Sequence, residues 1–401
     1  MAKRRTEERI VNIENVNCHF FDSGSFTLWT TAQKYSTENK CGEWEFYQTK
    51  EFFEYMDQYV AFVKKYQKAI DLCASVDVLP FRNPGRPPAG MDSHSLSYRN
   101  LKYLEKAGIK PVPVVHLGAD INIWFRRYVE EGYQTIGLGG LVGSLAKPFC
   151  KHWVDRCFDF ICKKGKPRVR LHGFGVTSHE YLLRYPWWSV DSTTWTKKGA
   201  FGQILMPRYR RGNWIFTQDD LVNAGLSADN WPKHCNPWNV FMSEEHPTKG
   251  QENSMHFLSM KLKEQQLVKE WLRYLAIPLG TVGGNRDGVL TCHDLRRIAN
   301  LKFFEILRDE LDPKYRRRAP RGFNSPQPPK IPKKRKGVRI KEEGPIIFYS
   351  GRANNGSHPE EDTVLGTEAN VMLTFEHSHN KTKPDPRFRR IAQKRGCKIE
   401  D

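Results

Sequence analysis

No apolar run in this chain approaches the ~20 residues that a membrane-crossing helix needs. Met1 to Arg9 is charged, with no apolar core behind it, unlike a secretory leader. The expectation is therefore a cytoplasmic protein without a membrane partner. A disulfide framework is also missing: the nine cysteines are odd in number and follow no repeating spacing, which favours free thiols in a reducing compartment. No compact set of metal ligands occurs either. Cys235 and Cys292 stand far apart, His234, His246 and His256 lie in or beside that interval, His293 adjoins Cys292, and His377 and His379 form an isolated pair, so structural zinc is not expected. No GxGxxG follows the first predicted strand, which counts against a doubly wound dinucleotide fold. Acidic residues are in short supply: 45 Asp+Glu against 64 Lys+Arg leaves a net charge of +19. That excess points to an anionic partner, nucleic acid being the commonest, although it also serves solubility.

What is there is a repeated strand, loop and helix over 401 residues, long enough for one large barrel or two domains. Strands are predicted at Cys18 to Phe21, Asp71 to Val76, Val112 to Val115, Thr135 to Leu138, Val169 to Leu171 and within Pro186 to Trp195, each ending in a polar or glycine-rich loop. Phe201 to Met206 is a candidate seventh. Helices are predicted at Glu51 to Ala69, Ser95 to Ala107, Ile121 to Glu131, Phe149 to Cys162, His179 to Arg184, Ser254 to Leu275 and Thr291 to Leu311, the last with Thr291 as cap. In the first, Phe52, Phe53, Met56, Tyr59, Val60, Val63 and Tyr66 are taken as the covered face. Parallel strands need such crossovers. The expected fold is α/β: a (β/α)8 TIM-like barrel over residues 1–312, with a long insertion near 207–250 and a basic C-terminal extension from 313 to 401.

That extension is proline-rich and strongly basic. Tyr315 to Arg321 holds four arginines, and Lys333, Lys334, Arg335 and Lys336 close a proline-interrupted run. Such a segment either tracks a phosphate backbone or is a solvated tail. Val338 to Phe348 and Val371 to Phe375 read as strands of a small appended unit. In the insertion, Arg208, Arg210 and Arg211 lie near Trp214, Trp231 and Trp238, a mixture suited to holding a displaced strand, while any one tryptophan is as readily explained by packing.

The stretch PWWSVDSTTW puts Asp191 where a buried strand opens into a hydroxyl-rich loop. An acid there either faces a ligand or caps the next segment. Asp22 stands likewise at a strand end before Ser23, Gly24 and Ser25, whose turn exposes backbone donors. Asp77 ends the second strand.

DSGSF around Asp22, GLGGLVG around Gly139 and Gly140, HGFG from His172 to Gly175, and SVDS around Asp191 occur in a definite order over roughly residues 15–205. Together they resemble the tRNA-guanine transglycosylase superfamily, most nearly its phage-type and bacterial DNA members that insert 7-deazaguanines. The resemblance implies a base exchange at C1′ through a covalent glycosyl-carboxylate, chemistry akin to retaining glycoside transfer. It assigns the nucleophile to Asp191 and the acid/base partner to Asp22. It assigns base reading to Asp77, base stacking to Phe26, and donation to the base carbonyl to the amides around Gly139, Gly140 and Leu141, with Gly173 in the same pocket. His116 stands where the tRNA enzymes usually carry glutamine, His172 where they usually carry methionine, and Ser25 in place of a glycine. His172 is either a pocket wall or a proton donor to a C7 substituent, and each histidine is also explicable as a structural residue.

The resemblance implies double-stranded DNA and a 7-deazaguanine base such as preQ0 as substrates, with tRNA as the alternative. In duplex DNA the nucleotide has to leave the stack. The missing zinc spacing and the basic extension favour DNA. No redox cofactor, ATP or metal is required. Two other classes remain: a non-catalytic nucleic-acid-binding barrel, and a metal-dependent hydrolase using Asp22, Asp77 and His116.

Overall fold

The computed structural model describes residues 20–68, 70–143, 145, 147–163, 166–229, 231–243 and 255–311, together with two strands at 346–350 and 370–374 whose side chains are outside the description. In chain order, β1 (Phe20–Asp22) leads into helices α1 (Ser25–Asn39), α2 (Glu43–Phe46) and α3 (Lys50–Lys65). Then come β2 (Leu72–Cys73), α4 (Ser93–Lys106), β3 (Val114–His116), a π-helical turn (Ile121–Phe125) running into α5 (Arg126–Glu130), β4 (Thr135–Gly139) and α6 (Pro148–Ile161). A short hairpin, β5 (Cys162–Lys163) with β6 (Lys166–Pro167), precedes β7 (Arg170–Gly173), α7 (His179–Arg184), β8 (Ser189–Ser192) and α8 (Thr194–Ala200). β9 (Gln203–Met206), β10 (Arg208–Arg210), β11 (Asn213–Ile215), α9 (Gln218–Asn223), α10 (Trp231–Cys235) and β12 (Trp238–Phe241) follow. Helices α11 (Leu262–Tyr274) and α12 (His293–Glu310) and strands β13 (Ile346–Ser350) and β14 (Asn370–Thr374) complete the order.

Eight of these strands form one sheet, in the order β2-β1-β14-β13-β8-β7-β4-β3. All neighbours in it are parallel. Just past β2, Ala74 forms a parallel bridge with Val112, just before β3. There the Ser75 amide donates to the Val112 carbonyl at 2.8 Å and the Val112 amide to the Cys73 carbonyl at 2.7 Å. The first and last strands of the order are thereby tied to each other. Strands β1, β2, β3, β4, β7 and β8 of this sheet are buried along almost their whole length, with apolar residues on both faces as parallel strands require.

Helices supply the crossovers. In α3 the buried side chains are Phe52, Tyr55, Met56, Tyr59, Phe62 and Val63, the i, i+3, i+4, i+7 face of one helix. Phe53 lies roughly 100° around that face and is exposed, and Val60 and Tyr66 are half-buried, so the covered face is narrower than composition implies. α3, α1 and α4 pack on β1 and β2 around Phe21, Leu28, Phe46 and Leu96. A second, smaller cluster of Phe20, Leu72, Ala74 and Val112, with Phe174 and Trp188, takes the opposite strand face. At roughly 1.5–3 kcal/mol per fully buried large apolar side chain, these faces hold the strand ends in place.

Other expectations differ as well. Phe201 to Met206 does not extend the parallel sheet: β9 pairs antiparallel with β12, with Leu205 opposite Asn239. Asn300 of α12 holds it there, its Oδ1 accepting from the Leu205 amide at 2.6 Å and its Nδ2 donating to the Trp195 and Gln203 carbonyls. The two late strands do not form an appended unit: β13 lies beside β8 and β14 beside β1, so Phe348 is opposite Asp191 and Thr374 opposite Asp22. A boundary at 312/313 therefore separates strands of one sheet. Finally, α12 begins one residue later than a Thr291 cap requires, because the Thr291 hydroxyl donates to Asp287 Oδ1 instead. Among the described residues no helix is long and apolar enough to cross a membrane.

Candidate active site

Parallel strands bring every side chain at a C-terminal end to one edge of the sheet. Asp22 is the last residue of β1, His116 of β3, Gly139 of β4 and Gly173 of β7, while Asp191 is the third of four in β8. Asp77 follows β2 by four residues. The order of the motifs in the chain thus becomes adjacency in space.

Asp22 is the centre of the charge cluster. Its carboxylate accepts the amides of Ser23 and Gly24, which favour its ionised form. Burial opposes this most strongly, followed by the negative charges of Asp191 and Asp77, and together they push its pKa up to about 7. Asp191 is also raised to about 7, chiefly by burial, against the pull of the Gly175 amide, which donates to its Oδ1 at 2.5 Å. Gly175 offers that amide from a left-handed backbone, φ 70°, which favours glycine. Asp77, almost fully buried, meets the His116 Nε2 at 2.5 Å.

The histidines do different work. His172 is enclosed completely, with Phe20 and Phe174 edge-on at 4.7 and 4.4 Å. Its Nδ1 is 2.8 Å from Ser189 Oγ and its Nε2 3.8 Å from Asp191 Oδ1. Burial drives its pKa down to about 3, so the ring is neutral near pH 7. A neutral, fully enclosed ring beside Asp191 suits a wall of the pocket. His116 is held by Asp77 and by its fit against β4: a Cβ at Gly139 would lie 2.7 Å from its Cε1 and 2.8 Å from its Nδ1. Gly139 thus makes room for a side chain of the neighbouring strand. Gly140 turns the chain at φ 71°. Leu141 is fully buried in the main core, so only its amide remains for a ligand. Gly173 likewise admits Val176 and Trp187, a Cβ there falling 2.8 Å from Val176 Cγ2.

Phe26, at the first turn of α1, is 53% exposed, so its ring faces open space four residues beyond Asp22. The loop between them is braced from outside: Tyr55 of α3 donates to the Ser23 carbonyl, and Ser23 and Ser25 share a hydroxyl bond of 2.7 Å. Ser189, Gly175 and Tyr55 carry no assignment in the sequence reading, although the first two lie inside SVDS and HGFG. Tyr55 leaves no signal, because only packing reveals that its hydroxyl reaches back 32 residues.

The insertion arginines are not drawn into this cluster. Arg208 donates to the Asn236 carbonyl and stacks on Trp238, Arg210 bonds the Tyr209 carbonyl, and Arg211 turns the β10–β11 hairpin and bonds the Gly225 carbonyl. Lys333, Lys334, Arg335 and Lys336 lie outside the described residues. No group of three or more His, Cys, Asp or Glu converges to hold a metal ion among the described residues.

The chain matches no protein-family model and no curated protein. Its chemistry is therefore argued from geometry. Three carboxylates, two on strands and one in the loop after β2, sit close enough to couple, and two of them are raised to about 7. Such a group can divide between an ionised nucleophile and a protonated acid.

Proposed function

We propose that this chain exchanges guanine in DNA for a 7-deazaguanine base through a glycosyl-aspartate intermediate, on a (β/α)8-type barrel whose mouth is the edge carrying Asp22, Asp77 and Asp191. The observation that carries the proposal is the coupling of two carboxylates: Asp191 raises Asp22, and both titrate at about 7. With both groups near 7, one carboxylate can be ionised while the other keeps its proton at neutral pH, and the reading gives the proton to Asp22 and the charge to Asp191. The tied strand ends at Ala74 and Val112 support the closed barrel.

In this reading the Asp191 carboxylate attacks C1′. The C1′–N9 bond breaks with its electron pair on guanine, and Asp22 gives the departing base its proton. The incoming 7-deazaguanine then loses its N9 proton to the Asp22 carboxylate, attacks C1′ and expels Asp191. Asp77, fixed by His116, accepts the N1–H and amino hydrogens of the base, and Phe26 offers it a stacking face. No metal or redox step is needed.

The test is a base-exchange assay with labelled guanine and 7-deazaguanine on duplex DNA and on tRNA, combined with denaturing gels that trap the covalent adduct. Exchange and adduct are expected on DNA with the wild type, and neither with Asp191→Ala. Exchange confined to tRNA would replace the DNA substrate. Adduct at normal yield in Asp191→Ala would remove Asp191 from its role.

A further inference from the structure

Two segments leave the same edge as the acids. Helix α1 follows β1, and the proline-rich loop from Pro80 follows its pairing neighbour β2. They meet at Trp29 and Arg82. The Trp29 indole N–H donates to the Pro80 carbonyl at 3.1 Å, which fixes the ring. The Arg82 guanidinium lies over that ring, 4.6 Å from its centroid. Buried Glu43 holds the loop from below, its carboxylate accepting the amides of Arg82 at 3.2 Å and Asn83 at 2.9 Å. Asn83 Nδ2 ties the loop to Ser36 of α1 at 3.2 Å. The Phe26 ring stands 5.6 Å from that of Trp29.

Arg82 is exposed, and no carboxylate side chain pairs with its guanidinium among the described residues. An exposed arginine stacked on a pinned indole is partly ordered before any ligand arrives. It offers a planar face for an aromatic group and donors for an anion. A nucleotide carries both, and the chain's net charge of +19 favours a polyanion.

We propose that Trp29 and Arg82 form a subsite for the nucleotide adjoining the one that reacts, in a DNA strand opened at that point. Its base stacks on the indole–guanidinium patch and its phosphate takes the Arg82 N–H groups. The assignment rests on Asp22 and Asp191 being a base-exchange centre, but binding itself requires no exchange.

The experiment measures anisotropy of a fluorescent single-stranded DNA oligonucleotide containing one guanosine, with the full chain as wild type, Trp29→Phe, Trp29→Ala and Arg82→Ala. A second oligonucleotide is abasic on both sides of that guanosine. Arg82→Ala is expected to weaken binding of the intact strand about 10-fold and to lower the slope of log affinity against log salt by about 0.7. Trp29→Ala costs a similar factor, and Trp29→Phe retains most of the affinity. Abasic neighbours weaken the wild type about 10-fold and Trp29→Ala hardly further, since the stack is already gone. Unchanged affinity and slope in Arg82→Ala, an exposed position that leaves folding intact, would overturn the subsite. So would equal abasic losses in wild type and Trp29→Ala. Base exchange is run on the same strand. Exchange without the Trp29 coupling overturns the subsite alone, and coupling without exchange on this strand, on duplex DNA or on tRNA overturns the base-exchange reading and leaves a DNA-binding patch at Trp29 and Arg82.

Discussion

Replacing Asp191 by asparagine tests whether the acid is held in a site that makes its charge costly. In the folded chain its pKa is about 7, against 3.8 for an ordinary aspartate. Below about pH 4 both folded and unfolded chains hold the proton, and the group contributes no penalty. As pH rises towards 7 the unfolded carboxyl releases its proton while the folded one keeps it, so folding stability falls across that window and levels off above it. Three units at about 1.4 kcal/mol each set a ceiling of about 4 kcal/mol. Asparagine does not titrate, yet its Oδ1 still accepts the Gly175 amide, so the comparison isolates the charge. Asp22 shifts in the same sense, because part of its own raised pKa comes from Asp191. Urea unfolding of wild type and Asp191→Asn from about pH 4 to about pH 8 is the assay. The stability of the variant relative to wild type is expected to rise by a few kcal/mol, up to about 4, across that range. A difference that does not change with pH would refute the reasoning, since a carboxylate buried at no electrostatic cost is not poised for chemistry.

Base exchange is expected to peak near about pH 7, falling in acid as Asp191 takes a proton and in alkali as Asp22 loses its own; a pH profile with a plateau through this region would count against the shared proton. Gly139→Ala forces the His116 ring away from Asp77, and should cost about 1–3 kcal/mol in urea unfolding and raise the KM for the incoming base.

The repeating elements were legible because their signal is local. Thr135 to Leu138 and the helix from His179 to Arg184 emerge with nearly their predicted bounds, since a short apolar strand and an amphipathic turn carry their own periodicity. Helix α1 was not legible: it begins at Ser25, inside the stretch read as a turn, and Leu28, Ala32 and Ser36 are too mixed a stripe to stand out. The position of β9 was illegible for another reason. Gln203 to Met206 reads as any buried strand, and its partner is chosen by Asn300, about a hundred residues away. That the missing side chain of Gly139 makes room for His116 on the adjacent strand was not legible either, because it depends on which strands are neighbours.

The sequence by itself determined the alternation of strand and helix, the excess of positive charge, and the placing of Asp22, Asp77, His116 and Asp191 at or near strand ends. Only the tertiary structure decided that these acids share one electrostatic field, that His172 is enclosed and neutral, and that β13 and β14 lie beside the two strands carrying Asp191 and Asp22. The physical reason is range. Periodicity and capping act over a few residues along the chain, whereas burial, charge coupling and strand pairing depend on distances that exist only once parallel strands have been brought side by side.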